Sequence, residues 1–189
     1  GDRGISRAQG RPHFRLRRLT AGSSIVTLTR TRARLLFAGM MLAAALLRLT
    51  GVSWDERRHL HPDERFLSMF EESLQFPRTI PGYFDSAHSP LNLFNHNFQP
   101  VYGTFPVFLA KAVSIVLLHK DGYDTTFLVG RVLSALFDLA TVWITYLLAR
   151  RFGRRGTALC AASLMAFCPL GIQLSHFWAV DTFLATLAT

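Results

Sequence analysis

Two acidic residues follow a histidine and a proline in the segment His61-Pro62-Asp63-Glu64. Proline is favoured at the first position of a helix, and acidic residues are favoured in the first turn, where the helix dipole stabilises their charge. The segment therefore predicts a helix start. The same dipole keeps Asp63 ionised, and a fixed carboxylate can accept a proton from a hydroxyl group in a transfer reaction. General-base chemistry is thus a second interpretation of the same residues.

Three further charged residues lie in or beside apolar segments: Arg131, Asp138 and Asp181. Asp181 follows His176 at the edge of an apolar segment, where an ionised side chain is either functional or solvated at a helix end. Arg131 and Asp138 are seven residues apart and share a helix face. We favour pairing between helices for Asp138, whereas Arg131 could equally pair or neutralise a phosphate.

Histidines supply the remaining candidates for chemistry. With Asp63, Glu64 and Asp181 they could hold a divalent metal, although their spacing is not diagnostic of one. These histidines are His59, His61, His88, His96 and His176. Cys160 and Cys168 would be about 12 Å apart along one helix, which is too far for a disulfide.

The composition predicts what kind of structure must position these residues. Half of the 189 residues are apolar and 17% are charged, against about 25% charged in an ordinary soluble domain. Residues 1–34 contain nine arginines and one aspartate, directly before an apolar run. That placement is typical of the cytoplasmic flank of a membrane helix and not of a nucleic-acid interface, so we expect a lipid bilayer as partner and no nucleic acid.

The hydropathy pattern predicts an all-α polytopic membrane protein with surface helices in its first outer loop. Asp63–Gln75 is predicted to be amphipathic, with an apolar face of Phe66, Met69, Phe70 and Leu74. The predicted segments are a basic cytoplasmic tail (1–34), a transmembrane helix (35–54), an extracytoplasmic loop (55–125), a transmembrane helix (126–149), a basic cytoplasmic loop (150–156), a transmembrane helix (157–175), a short extracytoplasmic loop (176–181) and the start of a further transmembrane helix (182–189).

Charge decides the predicted topology. If residues 101–118 crossed the bilayer, the four arginines of the 150–156 loop would lie opposite the basic tail, against the positive-inside rule. We therefore expect residues 101–118 to lie in the interface and the amino terminus to be cytoplasmic. Asp63 and Asp181 then face the same outer side of the plasma membrane and can form one site. Arg48, near the end of the first span, is expected to extend towards the interface.

Several segments in this order resemble the amino-terminal part of the family 39 glycosyltransferases of the C superfamily (GT-C). These enzymes are similar to protein O-mannosyltransferases and aminoarabinose transferases and use a polyprenyl-phosphate-linked sugar. The resemblance extends from about residue 35 to the end of the chain. The matching segments are the basic tail with the first span, His61-Pro62-Asp63-Glu64-Arg65-Phe66-Leu67, Ser89-Pro90-Leu91-Asn92, Tyr102-Gly103-Thr104-Phe105-Pro106, Gly130-Arg131-Val132-Leu133-Ser134-Ala135, residues 147–153 and Ser175-His176-Phe177-Trp178-Ala179-Val180-Asp181-Thr182.

The resemblance implies a GT-C-type transmembrane module and transfer of a sugar from a polyprenyl phosphate to a hydroxyl acceptor outside the cytoplasm, with inversion. It implies that Asp63 is the catalytic base or the carboxylate that orients the acceptor, with Asp181 in the same cavity, and that Arg131 contacts the donor phosphate. The full set of candidate site residues comprises, as catalytic groups, Asp63, Glu64 and Asp181 and, as substrate-binding groups, His61, Arg131, Lys111, Tyr102 and His176.

Two interpretations from other classes stay open. A non-catalytic polytopic subunit would not need an ionised Asp63. A transporter would line its path with Arg131 and Asp138 instead. Family members have many more spans, so we expect this chain to be a fragment that is inactive by itself, and a divalent metal is a candidate cofactor.

Overall fold

A computed structural model describes residues 28–97, 99 and 101–189, and these contain helices and no strands. The basic tail therefore lies mostly outside the described residues. The elements are α1 (Arg30–Leu49), α2 (Pro62–Ser73), α3 (Ile80–Phe84), a 3-10 turn (Leu93–His96), α4 (Phe105–Val116), α5 (Tyr123–Phe152), α6 (Arg155–Ala166), α7 (Pro169–Ser175) and α8 (Val180–Ala188).

Helix α5 is the centre of the fold. It packs against α1, α2, α4, α6, α7 and α8. Its amino-terminal half meets α2, α4 and α8 in an apolar core that includes Leu67, Phe70, Val107 and Trp178. Its carboxyl-terminal half meets α1 and α6 around Met40, Ala44, Val142, Ala162 and Ala166, where alanines let the backbones approach closely.

Among the described residues, α5 is the one unbroken helix that is long and apolar enough to cross a membrane. It has 30 residues and is therefore about 45 Å long. Helices α6 and α7 pass the same test only if they are counted together as one bent span. Helix α1 contains four arginines among its 20 residues, which lowers its mean hydropathy.

The helix boundaries correct several sequence predictions. The first helix covers Arg30–Leu49 and not 35–54, because the chain turns at Gly51 with a φ of +77°. The predicted 157–175 helix is broken into α6 and α7, whose axes differ by 54°. Pro169 begins α7, where its missing N–H costs nothing, and it prevents α6 from continuing. Helix α5 extends beyond the predicted 126–149 at both ends.

Helix α4 has only 12 residues and is therefore about 18 Å long, well short of the roughly 30 Å hydrocarbon core of a bilayer. The start of α6 lies close to the start of α1, because the Arg155 guanidinium donates to the Leu28 carbonyl at 3.3 Å. The arginines on either side of that contact therefore lie at the same end of the helical bundle.

The predicted faces of α2 are correct in part, because Phe70 and Leu74 are buried while Arg65 and Glu72 are exposed. Met69, expected on the apolar face, is 53% exposed, whereas Ser68 and Glu71 are fully buried. The prediction assumed that the polar side of an amphipathic helix faces water. Here part of the polar side is buried instead, because Lys111 on α4 and Arg131 on α5 pair with Glu71 and Glu64.

Gly130 on α5 provides a test of this packing. A β-carbon at this position would overlap the indole ring of Trp178, which is fully buried. We expect Gly130→Ala to lower stability by about 1–3 kcal/mol, the usual cost of overpacking a core. Thermal unfolding in detergent measures this cost. Gly39→Ala is the matched control, because this helical glycine has open space around it; equal unfolding temperatures for both variants would contradict the packing.

Candidate active site

A buried arginine with two carboxylates lies where α1, α2 and α5 meet. The guanidinium of Arg131 donates to Glu64 at 2.7 and 2.8 Å and to Asp55 at 3.1 and 3.0 Å. Its fifth N–H bond goes to the carbonyl of Val52 at 2.7 Å. All three charged side chains are fully buried, and we call them the Arg131 cluster.

The surroundings of the Arg131 cluster are aromatic and closely packed. The guanidinium carbon lies 3.9 Å from the Phe127 ring centre and 5.1 Å from that of Trp54. The backbone N–H of Trp178 donates to Glu64 at 2.6 Å, so the connection before α8 is attached to the same cluster. Such contacts favour the charged guanidinium in a dry environment.

These contacts decide two of the predicted roles. For Arg131 the sequence left pairing and a donor phosphate equally open, and the structure shows pairing, because all five of its N–H bonds go to acceptors within the protein. Glu64 was expected to be catalytic, but its carboxylate is buried and is used by Arg131 and Trp178. Both residues are structural in this arrangement, because neither offers a free polar atom to a substrate.

Asp55 orders the loop between α1 and α2. Burial alone would raise the pKa of its carboxyl group, but the hydrogen bonds and charge of Arg131 outweigh that effect and hold the pKa below its usual range. The same carboxylate accepts the backbone N–H groups of Arg57 and Leu60. These bonds hold a loop in which Glu56, Arg57 and His59 all have positive φ values.

Asp63 is the neighbour of Glu64, yet it points away from the cluster. Consecutive residues of a helix are rotated by about 100°, so burying Glu64 turns Asp63 towards the surface. Pro62 begins the helix, and Asp63 lies in its first turn. The Tyr102 hydroxyl donates to the Asp63 carboxylate at 3.0 Å. A carboxylate in the first turn with one hydroxyl donor is suited to accept a proton from a ligand.

Asp181 lies near the same tyrosine. The hydrogen bond to Asp63 and the charge of Asp63 raise the pKa of Tyr102, and the charge of Asp181 adds to the effect. Asp181 is exposed and belongs to the first turn of α8, not to the loop predicted for 176–181. Tyr102 thus bonds to Asp63 and is also influenced by the charge of Asp181, and we call these three residues the acidic site.

Lys111 does not face a ligand, in contrast to its predicted role. It is 1% exposed, and its ammonium group lies 2.7 Å from Asp121 and 3.5 Å from Glu71. Burial raises the pKa of Glu71 to about 7, although the charge of Lys111 opposes the shift. Lys111 thus connects α4 to α2 and to the loop before α5.

The two histidines predicted to bind substrate have different surroundings. His61 precedes α2, and its ring stacks on Phe177 with centres 4.4 Å apart. The His176 ring nitrogens lie 2.8 and 2.9 Å from the carbonyl oxygens of Ile172 and Thr50. His176 therefore connects α7 to the end of α1, whereas His61 lies two residues before Asp63.

The candidate metal ligands do not converge. Within the part of the chain that the structure describes, no three His, Cys, Asp or Glu side chains are grouped so that they could hold a metal ion. His59 pairs with Asp124, and His88 pairs with Asp85.

Sequence reasoning missed Asp55 and misplaced Arg48. Arg48 was expected to extend to the interface, but it is fully buried and bonds to Asp138 at 2.6 Å. The prediction that Asp138 pairs between helices is confirmed by this contact. The sequence did contain a signal for this pairing: Asp138 lies in an apolar helix with no cation beside it in the chain. Such a carboxylate requires a buried cation from another segment.

Comparisons with known proteins add no identification, because no family, curated protein or solved structure matches this chain. The class that the fold itself defines, over the part of the chain that the structure describes, is a helical protein in which one helix, or two if α6 and α7 count as one bent span, is long and apolar enough to cross a membrane.

Removing the cation of the Arg131 cluster tests its structural role. We expect Arg131→Met to destabilise the protein by about 3–5 kcal/mol, because two buried carboxylates lose their counter-charge. Adding Asp55→Asn and Glu64→Gln to that variant should recover part of the loss. Unfolding in denaturant measures both effects, and Arg65→Met, at an exposed position on α2, is the control. A loss no larger than that of the control would contradict the structural role.

The raised pKa of Glu71 predicts how the stability of the protein depends on pH. Its pKa is about 7 in the folded protein against 4.5 for the free group, so the folded state binds more protons between these values. This contribution to stability is complete below about pH 4.5 and is lost as the pH rises through 7. We expect Glu71→Gln to flatten the pH dependence of the unfolding temperature in this window. Glu72→Gln, at the neighbouring exposed position, should leave the wild-type slope unchanged.

Proposed function

We propose that this chain is the amino-terminal module of an integral, multi-pass glycosyltransferase of the GT-C type. In this proposal the enzyme transfers a mannose-like hexose or a pentose from a polyprenyl phosphate to a hydroxyl of a protein, lipid or glycan. The observation that carries the proposal is the acidic site. Asp63 is turned outward beside a buried, fully bonded Glu64 and is hydrogen-bonded by Tyr102, with Asp181 near that tyrosine.

The proposed topology has α5 crossing the plasma membrane, with the amino terminus in the cytoplasm. The contact between Arg155 and Leu28 supports this, because it puts the arginines around both residues at one end of the bundle. The opposite end of α5 then lies outside, next to α2 and the acidic site. The short α4 suits a position in the interface.

In the proposed reaction, the Asp63 carboxylate takes the proton of the acceptor hydroxyl. The hydroxyl oxygen forms a bond to the anomeric carbon while the bond from that carbon to the phosphate oxygen breaks. The phosphate leaves with the electron pair, and in-line attack inverts the anomeric centre. Asp181 would orient the acceptor, and His61, close to Asp63 in the chain, is a candidate substrate contact.

The donor phosphate needs a neutralising group, because charge builds up on the leaving oxygen. Arg131 and Lys111 are both buried and bonded within the protein, so the proposal assigns that task to neither of them. A divalent metal cofactor is also part of the proposal, but no residue of this chain is assigned as its ligand.

Asp63→Asn tests the proposal in the full-length enzyme. We expect sugar transfer from a polyprenyl-phosphate donor to fall by about 10²–10⁴-fold, the usual contribution of a general base. Membrane insertion, measured by resistance to carbonate extraction, should be unchanged. Glu72→Gln is the matched control, because Glu72 is an exposed acid on the same helix.

Retained transfer by the Asp63→Asn variant would overturn the assignment. Unchanged function in both Asp63→Asn and Asp181→Asn would favour a non-catalytic subunit. A transporter would instead lose transport with Asp138→Asn and keep it with Asp63→Asn. Asp138, which a transport path would use, is buried and pairs with Arg48 at 2.6 Å. This pairing weighs against transport.

A further inference from the structure

A groove of about 730 Å³ lies on α5, between the end of α4 and the outer half of α5. Its volume is in the range of sites that hold small organic ligands. Most of its lining is apolar, and its charged residues are Arg57, Lys120 and Asp124. It contains none of the three residues of the acidic site, so it is a separate feature of the protein.

The apolar part of the groove follows one stripe of α5. Leu128, Val132 and Leu136 are spaced by four residues and therefore lie on the same helix face. Leu117 from the end of α4 forms the opposite wall. The apolar side chains of this groove are partly exposed: 38% for Val132, 49% for Leu136 and 68% for Leu117. Contact of such an apolar surface with water is unfavourable.

The charged residues are all at one end of this stripe. Arg57 and Lys120 are exposed, and they flank the first turn of α5. Asp124, the one acid in the lining, pairs with His59 at 2.9 Å. Arg57 is held in place by the Asp55 carboxylate, which accepts its backbone N–H. The groove thus has a cationic end and an apolar body.

The length of the groove matches one leaflet of a membrane. From Asp124 to Leu136 the helix rises about 18 Å, and half of a bilayer's hydrocarbon core is about 15 Å thick. With the amino-terminal end of α5 outside, the cationic end lies at the headgroup level and the apolar stripe lies along the acyl chains.

We propose that this groove binds one anionic phospholipid of the outer leaflet. Its phosphate lies between Arg57 and Lys120, and one acyl chain lies along Leu128, Val132 and Leu136. The proposal rests on α5 crossing the membrane and not on the transfer reaction. The lipid site differs from the proposed site of the sugar donor, because the groove is lined by residues other than those around Asp63.

Native mass spectrometry of the full chain, released from nanodiscs with equal amounts of phosphatidylglycerol and phosphatidylcholine, tests the proposal. We expect one retained phosphatidylglycerol in at least fivefold excess over phosphatidylcholine. Arg57→Gln with Lys120→Gln should remove that preference. The matched control is Arg58→Gln with Arg78→Gln, which removes two exposed positive charges outside the groove.

The apolar body is tested separately. Val132→Trp should fill the groove and reduce retention of both lipids at least fivefold, whereas Leu164→Trp, at an exposed position on α6, should not. Equal retention of the two lipids by the wild-type chain would overturn the proposal, as would an unchanged preference in the Arg57 and Lys120 variant. Carbonate extraction of cell membranes that contain the same variants shows whether the chain is integral to the membrane, so failure of the lipid site is distinguishable from failure of membrane insertion.

Discussion

Burying the guanidinium of Arg131 removes it from water, and the fold depends on how that cost is offset. Asp55 and Glu64 supply two carboxylates, and the Val52 carbonyl accepts the remaining N–H bond. These partners come from the α1–α2 loop and α2, while Glu64 also binds the backbone before α8. A buried ion pair stabilises a protein only when its geometry and its remaining hydrogen bonds are complete. The α1–α2 loop, α2, α5 and the connection before α8 must therefore be positioned together. The cluster therefore fixes the rotation of α2 on α5.

That rotation determines which groups are left for chemistry. Glu64 turns inward and is used by the cluster, so its neighbour Asp63 must point outward, where Tyr102 bonds to it. Other buried charges on α5 and α4 are likewise used in pairing within the protein. Arg48 pairs with Asp138 between α1 and α5, and Lys111 on α4 pairs with Glu71 on α2 and with Asp121 in the loop before α5. Both cations are thus structural, whereas the carboxylates of Asp63 and Asp181 stay at the surface.

Helix α5 presents different faces to different surroundings. One face carries the buried ionic contacts to α1 and α2, and Phe137 on another packs against Phe183 of α8. The face with Val132 and Leu136 is left exposed and is apolar. In water this exposed face would be unfavourable, whereas in a bilayer it is the surface that lipid covers. Helix α5 therefore meets its neighbours through both ionic and apolar contacts, and its exposed apolar face agrees with the proposed position of this helix in a membrane.

The sequence by itself determined the helical class, the apolar character of α5 and the start of α2 at Pro62, because these follow from local periodicity, capping and hydropathy. It also identified Asp138 as a residue in need of a partner. Only the tertiary structure decided that this partner is Arg48, that Glu64 is buried while Asp63 is not, and that Asp55 belongs with Arg131, which is 76 residues away. Periodicity describes one helix at a time, whereas the pairing of charges depends on distances between segments. For that reason the acidic residues could be listed as candidates from sequence, but their roles could be assigned only after the helices were packed.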